Sequence, residues 1–272
     1  MIDSSKILIT GASGMVGSAC NFGIKLSRQD LDVADFGRFK KKVLEHKPSA
    51  IFHFAGADLR TCESLPLQSI RSNIEGARNA ALVAKNEGIP LVFLSSGTVF
   101  NGHFGEIFSE QCLPDPQQIY GLTKFLAENW ILDIFPHALV IRTGWLFGGH
   151  GSRQKKLADI ILENIKENTP IRATKFQTGS HTYVADLISE ILNQLNFGTS
   201  GIRHIVNSNC ATAYDLASYL CEKLGHLHLL EEQKVVTSGP IRRSASEALR
   251  SDYIFMRDWT DALDEYVSLK LG

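Results

Sequence analysis

The chain has 272 residues, 28 Lys+Arg against 29 Asp+Glu, a formal net charge of −1, 44% hydrophobic and 21% charged residues. That balance excludes a disordered chain and lacks the basic excess of a dedicated nucleic-acid binder. At about 150 residues per domain the length allows one large or two small domains, whose core needs no metal or disulfide staple. Residues 1–6 lead straight into Ile7-Leu8-Ile9 with no cationic stretch ahead of a long apolar run. No stretch reaches the ~18–20 apolar residues of a membrane span, so neither signal peptide nor membrane segment is expected and the location reads as cytoplasmic. Cys20, Cys62, Cys112, Cys210 and Cys221 are odd in number, widely spread and free of C-x-x-C pairs, which reads as reduced thiols without a metal site.

Short apolar runs alternate with amphipathic stretches through the first half. Strands are expected at Ile7–Thr10, Ile24–Ser27, Ala50–Phe54, Leu91–Ser95 and Ala138–Arg142, with helices at Phe36–Glu45, Ile70–Asn86 and Gly121–Ile134. Strands apolar on both faces and separated by helices predict a doubly wound parallel sheet of the Rossmann type, whose sites gather at the carboxyl ends of the strands. After Gly148-Gly149-His150-Gly151 the rhythm loosens. Helices are expected at Gln154–Asn168, Val184–Asn196 and Ala213–Leu224, a strand at Ile202–Val206, and an extended tail beyond. Residues 1–150 therefore read as a nucleotide-binding domain and 151–272 as a smaller, interleaved α/β substrate-binding lobe.

The first strand runs into Thr10-Gly11-Ala12-Ser13-Gly14-Met15-Val16-Gly17, a G-x-x-G-x-x-G loop. The first glycine suits a tight turn, the second close approach of a pyrophosphate, and the third packing of the next helix on the strand. That helix start offers backbone N–H groups to phosphates. The second strand ends in Lys25-Leu26-Ser27-Arg28, with Ser27 where an acid would hold the ribose hydroxyls of NAD. Ser27 with Arg28 favours a 2′-phosphate, hence NADP(H), with NAD(H) still open and Arg28 equally readable as a solvated surface charge. Asp32 and Val33 fall beside the expected adenine position, and Asp32 reads equally well as a helix cap.

Tyr120-Gly121-Leu122-Thr123-Lys124 puts a phenol and an ammonium on one helix face. A lysine beside a phenol is expected to lower its pKa from ~10, making it a proton donor or acceptor for an alcohol oxygen. Leu94-Ser95-Ser96-Gly97-Thr98 ends the fourth strand and brings a hydroxyl towards the same pocket. His53 reads as a packed core residue, His204, His226 and His228 as strand or surface positions, and Trp130 and Trp259 as helix-face packing. Lys40-Lys41-Lys42 reads as a solvated helix face. Phe104 and Phe108 fit a loop that folds over itself or over a cofactor.

Taken in this order, these residues resemble the extended short-chain dehydrogenase/reductase superfamily, and within it the dTDP-4-dehydrorhamnose reductase family. The resemblance covers nearly the whole chain. It includes 31–35, the 48–57 segment ending Ala55-Gly56-Ala57, Asn73, Ser95-Ser96, 120–124 and Ile141-Arg142-Thr143-Gly144-Trp145-Leu146-Phe147-Gly148. It extends to 177–187, and to Arg242-Arg243 with Leu249-Arg250-Ser251. It implies NAD(P)H-dependent reduction of a 4-keto group on a nucleotide-linked deoxysugar. Tyr120 would be the proton donor, Lys124 its partner and ribose ligand, and Ser96 the orienting hydroxyl. Gly11, Ser13, Gly14, Met15, Val16, Gly17, Ser27, Arg28, Asp32, Val33, Ala55, Gly56, Ala57, Asn73 and Leu94 would line the cofactor with Tyr120 and Lys124. Ser96, Gly97 and Trp145 would meet the sugar nucleotide. Homodimers are common in the superfamily. Gly97 departs from the family's Asp, and His181 from its Pro. Ser96-Gly97-Thr98-Val99-Phe100 is instead similar to sugar-nucleotide 4-epimerases and dehydratases. A relative that serves as the NADP-binding regulatory subunit of methionine adenosyltransferase leaves a non-catalytic alternative.

Overall fold

In a computed structural model, residues 1–149, 155–234 and 243–272 are described. In chain order the first half forms β1 (Ile7–Thr10), α1 (Met15–Ala19), β2 (Ile24–Leu26), α2 (Phe36–His46), β3 (Ala50–His53), α3 (Leu59–Ser64), α4 (Pro66–Ile70), α5 (Gly76–Glu87), β4 (Leu91–Leu94), β5 (Ile107–Phe108), α6 (Ile119–Ile134), β6 (Leu139–Arg142) and β7 (Trp145–Phe147). The second half adds α7 (Leu157–Glu167), β8 (Ile171–Ala173), β9 (Thr178–Gly179), β10 (His181–Tyr183), α8 (Val184–Asn196), β11 (Gly201–His204), β12 (Ala211–Thr212), α9 (Ala213–Lys223), β13 (Leu230–Glu232), β14 (Ser246–Leu249) and α10 (Trp259–Leu271).

Six parallel strands form the main sheet in the order β11-β6-β4-β3-β1-β2. Strands β1, β3 and β6 are buried at every residue, as a sheet covered on both faces requires. Alternate side chains serve opposite faces. Leu8, Ile51, Phe93 and Val140 pack against α2, α5 and α6, whereas Ile7, Ile9, Phe52, Leu139 and Ile141 pack against α1 and α8. The chain leaves β1 towards β2 and then crosses to β3 on the other side, so the topological switch lies between β1 and β3, where such sheets bind ligands.

Helix ends follow local chemistry. Asp35 caps α2 by accepting from the Arg38 N–H, and Thr212 with Asp215 forms a capping box on α9. Asp32 does not cap α2; its carboxylate accepts from the Ala34 N–H at 3.1 Å and faces Arg71. The expected helix 70–86 is broken into α4, a π turn over Arg71–Glu75 and α5. The expected helix from Gln154 begins in residues outside the described ones and is observed from Leu157.

The second lobe is interleaved with the first: α8 and β11, which follow residue 150, return to the main sheet, β11 pairing with β6. The tail is not merely extended. Strand β14 pairs with β9 and β5, and α10 packs Trp259, Leu263, Tyr266 and Val267 against α7 and α9. Asp258 starts α10 by accepting from the Thr260 N–H, and the buried residues 259, 262, 263, 266 and 267 follow helical spacing. Trp259 packs as expected, but Trp130 lies half out of α6 beneath the Arg78 guanidinium. His53 is fully buried and His204 is a buried strand residue. Phe108 stacks on Phe100 at 4.5 Å, so its loop folds on itself, while Phe104 is exposed.

Candidate active site at the strand carboxyl ends

Gly11 takes φ +72°, and a Cβ there would fall 2.6 Å from the Ala55 nitrogen. Gly17 lies so close beneath the loop that a Cβ would meet the Gly11 carbonyl oxygen at 2.4 Å. The two outer glycines thus hold the β1 turn against the β3 end and against α1. Gly14 has looser surroundings; it and Ser13 form the exposed crest, followed by half-buried Met15 and buried Val16. Thr10 ties the neighbouring strand ends together. Its hydroxyl oxygen accepts from the Ala55 N–H and lies 2.9 Å from His53 Nδ1. Burial drops the His53 pKa to about 3, so this imidazole is neutral.

The 55–57 segment is held from below by Asn73 on the π turn. Its Oδ1 accepts from the Ala57 N–H at 2.6 Å, and its Nδ2 donates to Thr123 Oγ1 at 3.0 Å. Asn73 is 1% exposed with its amide engaged, so it shapes the loop. At exposed Gly56 a Cβ would approach Asn73 Oδ1 at 3.0 Å and Lys124 Nζ at 3.6 Å. This is a cradle floored by backbone at Gly11 and by the Asn73 and Lys124 side chains at Gly56, and a side chain at either position would fill it. The residues present therefore fit a dinucleotide laid across the β1 and β3 ends.

Lys124 Nζ donates to the Leu94 carbonyl oxygen at 2.9 Å and stands 4.9 Å from the Phe93 ring centre. Burial pulls its pKa to about 8. Tyr120 sits one turn earlier, with Lys124 Nζ 5.8 Å from its ring centre. Its pKa is not lowered, contrary to the sequence expectation. Burial pushes it well above the usual phenol range, helped by Cys62 and the Glu247 carboxylate, with the Ser96 hydroxyl acting the other way. The ammonium is engaged with Leu94 rather than with the phenol oxygen, so the phenol keeps its proton throughout the neutral range. Half-buried Ser96 caps the turn 97–99, its Oγ accepting from the Thr98 N–H at 3.2 Å. Buried Ser95 Oγ and Thr98 Oγ1 lack hydrogen-bond partners among the described residues.

At the β2 end, Ser27 is committed to a turn. Its N–H and hydroxyl both donate to Asp30 Oδ2, at 2.8 and 2.6 Å. Arg28 is exposed, with no partner among the described residues. Val33 is buried against Gly76. Asp30 was not among the sequence candidates; only its spacing from Ser27 hinted at it.

Opposite Tyr120, Trp145 of β7 joins residues of the second lobe. Trp145 Nε1 donates to Glu247 Oε2 at 3.2 Å, and the indole lies edge-on to His181 and over Gly179. His181 is 3% exposed, with a pKa lowered to about 4 by burial. Arg242 lies outside the described residues; Arg243 is exposed. Among the described residues no group of His, Cys, Asp and Glu could hold a metal, and no helix is long and apolar enough to cross a membrane. A surface hollow of about 460 Å³ lined by Phe22, Gly23 and Lys25 opens at the opposite, amino end of the strands.

A Rossmann-type sheet whose fourth strand faces a Tyr/Lys helix, joined by an interleaved second lobe, defines an extended short-chain dehydrogenase/reductase. Within that class, the sequence model of the RmlD substrate binding domain matches residues 5–267, and the chain belongs to that family. It is 30% identical to a dTDP-4-keto-6-deoxy-D-glucose reductase of Streptomyces niveus, over 96% of each chain. The structure is similar to a dTDP-4-dehydrorhamnose reductase of Yersinia enterocolitica (27% identity, TM-score 0.89, 97% of this chain and 99% of that one). It also resembles in fold a Bacillus anthracis dTDP-4-dehydrorhamnose reductase in complex with NADP (24% identity, TM-score 0.88, 98% and 100%).

Proposed function

We propose that the protein reduces the 4-keto group of a nucleotide-linked deoxysugar with NADPH. The observation that carries this reading is the Tyr120/Lys124 helix face at the end of β4, with Lys124 Nζ bonded to the Leu94 carbonyl oxygen and 3.6 Å from where a Cβ at Gly56 would stand in the cradle. The curated relative from Streptomyces niveus, named for such a reduction, supports it. Residues 11–17 and 55–57 would hold the dinucleotide, Lys124 its nicotinamide ribose, and Leu94 would fix the Lys124 head group. Bound there, the cofactor supplies a hydride to the carbonyl carbon. Ser96 orients the carbonyl oxygen, and Tyr120 gives it a proton. A phenol that holds its proton at neutral pH is in the state this direction of reaction needs. Trp145 closes the sugar side and keeps water out.

The reading is tested by following loss of reduced-nicotinamide absorbance with dTDP-4-keto-6-deoxy-D-glucose. Substrate-dependent oxidation is the expected result, and none with any 4-keto nucleotide sugar would contradict it. An epimerase would hold its cofactor and show no net oxidation.

The exposed Arg28 guanidinium, next to a Ser27 already bonded to Asp30, favours a 2′-phosphate. Arg28→Ala is expected to raise the KM for NADPH about tenfold, the loss of ~1.4 kcal/mol, with KM for NADH changed less than twofold. Equal effects on the two cofactors would remove Arg28 from this role.

Lys124 supplies a pH prediction. Its ammonium is intact below about pH 8 and lost above, because burial lowers its pKa in the free chain. The rate constant kcat/KM should therefore bend downward as pH rises through about 8. In Lys124→Arg, whose guanidinium keeps its proton, any remaining activity should lose that bend. A wild-type profile flat to about pH 10 would contradict the assignment.

A further inference from the structure

Glu247 is the least expected group in the site. It lies on β14, at 6% exposure, in a strand whose four residues are all buried. One carboxylate oxygen takes the Trp145 indole N–H. Gln118 at the start of α6 and Gln177 before β9 also turn their side chains on it, and exposed Arg243 acts on it through its charge. Both glutamines are more than nine-tenths buried, yet Gln118 Oε1 and Gln177 Nε2 have no hydrogen-bond partner among the described residues. Burying a carboxylate among half-satisfied amides is costly unless something completes the set. With Gln177 Nε2 turned towards the carboxylate, the capacity left for a ligand is the Gln118 amide oxygen and the Glu247 carboxylate, both of which accept. A polyhydroxylated ring satisfies such a set; an apolar ligand does not.

The backbone fixes where this carboxylate stands. A Cβ at Gly97 would fall 2.8 Å from the Glu247 carbonyl oxygen, so β14 packs directly on the residue that follows Ser96. The Glu247 charge also reaches the Tyr120 phenol. A side chain at position 97 is excluded by β14, and the acid enters the site from β14 itself.

We infer that Glu247, with Gln118 and Gln177, is the sugar-recognition group of this site, its carboxylate accepting a hydrogen bond from a ring hydroxyl of the nucleotide-linked sugar. This rests on the nucleotide-sugar reading above. Trp145 fixes the carboxylate rotamer through its N–H and acts as a positioning residue towards Glu247.

The test compares binding of dTDP-glucose, which has no keto group to reduce, with binding of dTDP alone, by calorimetry on the full chain loaded with NADPH. Glu247→Gln keeps the shape but replaces one acceptor by a donor. It is expected to weaken dTDP-glucose at least tenfold while leaving dTDP and NADPH within twofold. Trp145→Phe, which frees the carboxylate without removing it, should weaken dTDP-glucose by a few-fold. In turnover the Glu247→Gln loss should appear in KM for the keto sugar more than in kcat. Equal affinity of wild type and Glu247→Gln for dTDP-glucose would overturn the inference, as would parallel loss of dTDP and NADPH binding, which marks a structural role. Wild type that binds dTDP-glucose through Glu247 yet oxidises no NADPH with any keto sugar would leave sugar recognition standing and remove the reductase reading.

Discussion

Tyr120→Phe is expected to lower kcat by about 10²–10⁴-fold, the usual contribution of a positioned general acid, with NADPH affinity within twofold of wild type. The phenol oxygen beside Ser96 is the group lost, and the ring near Lys124 remains. Because burial holds the Tyr120 proton far above neutral pH, the alkaline bend near pH 8 is expected from Lys124 and not from this residue. Rapid-mixing kinetics of the variant separate the step: hydride transfer itself should slow, not release of product. A variant within threefold of wild-type kcat would take the proton-donor role from Tyr120.

Glu128→Gln should destabilise the fold by about 3–5 kcal/mol, which at this size lowers Tm by roughly 10 °C. Glu128 on α6 and Arg142 at the end of β6 are 1% and 2% exposed, and the guanidinium forks onto the carboxylate at 2.7 and 3.0 Å. Removing the carboxylate strands a buried guanidinium that is otherwise stacked on Phe100 at 5.0 Å. The pair also bolts the helix carrying Tyr120 and Lys124 to the sheet, so activity at temperatures below the transition should fall as well. Replacing both partners by apolar residues, Glu128→Leu with Arg142→Met, should recover a large part of the loss. Thermal unfolding that moves by less than about 2 °C in Glu128→Gln would show that the pair carries little of the stability.

The alternating fold of the first half was legible because its strands are apolar on both faces and its helices carry periodic apolar stripes. β1 is where the sequence places it, and β3 and β4 end one residue earlier. The glycine loop and the Tyr120/Lys124 spacing were legible for the same reason, being local. What local pattern could not carry was pairing across the chain. Strand β14 contains Ser246 and Glu247 at buried positions, and only its partners β9 and β5 make it a strand. Glu247 was missed with it. Of α10 only the helix-face packing of Trp259 was read, although its capping Asp258 and its spacing of Leu263, Tyr266 and Val267 mark its full extent. The sign of the Tyr120 shift was misjudged because helical spacing shows proximity but neither burial nor the carbonyl that engages Lys124. Asn73 matched the resemblance, but its place on a π turn beneath Ala57 is a property of backbone geometry that side-chain identity does not report.

The most direct measurement is transfer of deuterium from NADPH carrying deuterium at both positions of nicotinamide C4 to dTDP-4-keto-6-deoxy-D-glucose, with the product sugar analysed by NMR. One deuterium at sugar C4 is expected for each NADPH consumed, with at most about a hundredth as much product from Tyr120→Phe over the same interval. Recovery of an isomerised sugar with no deuterium and no NADPH consumed would contradict it.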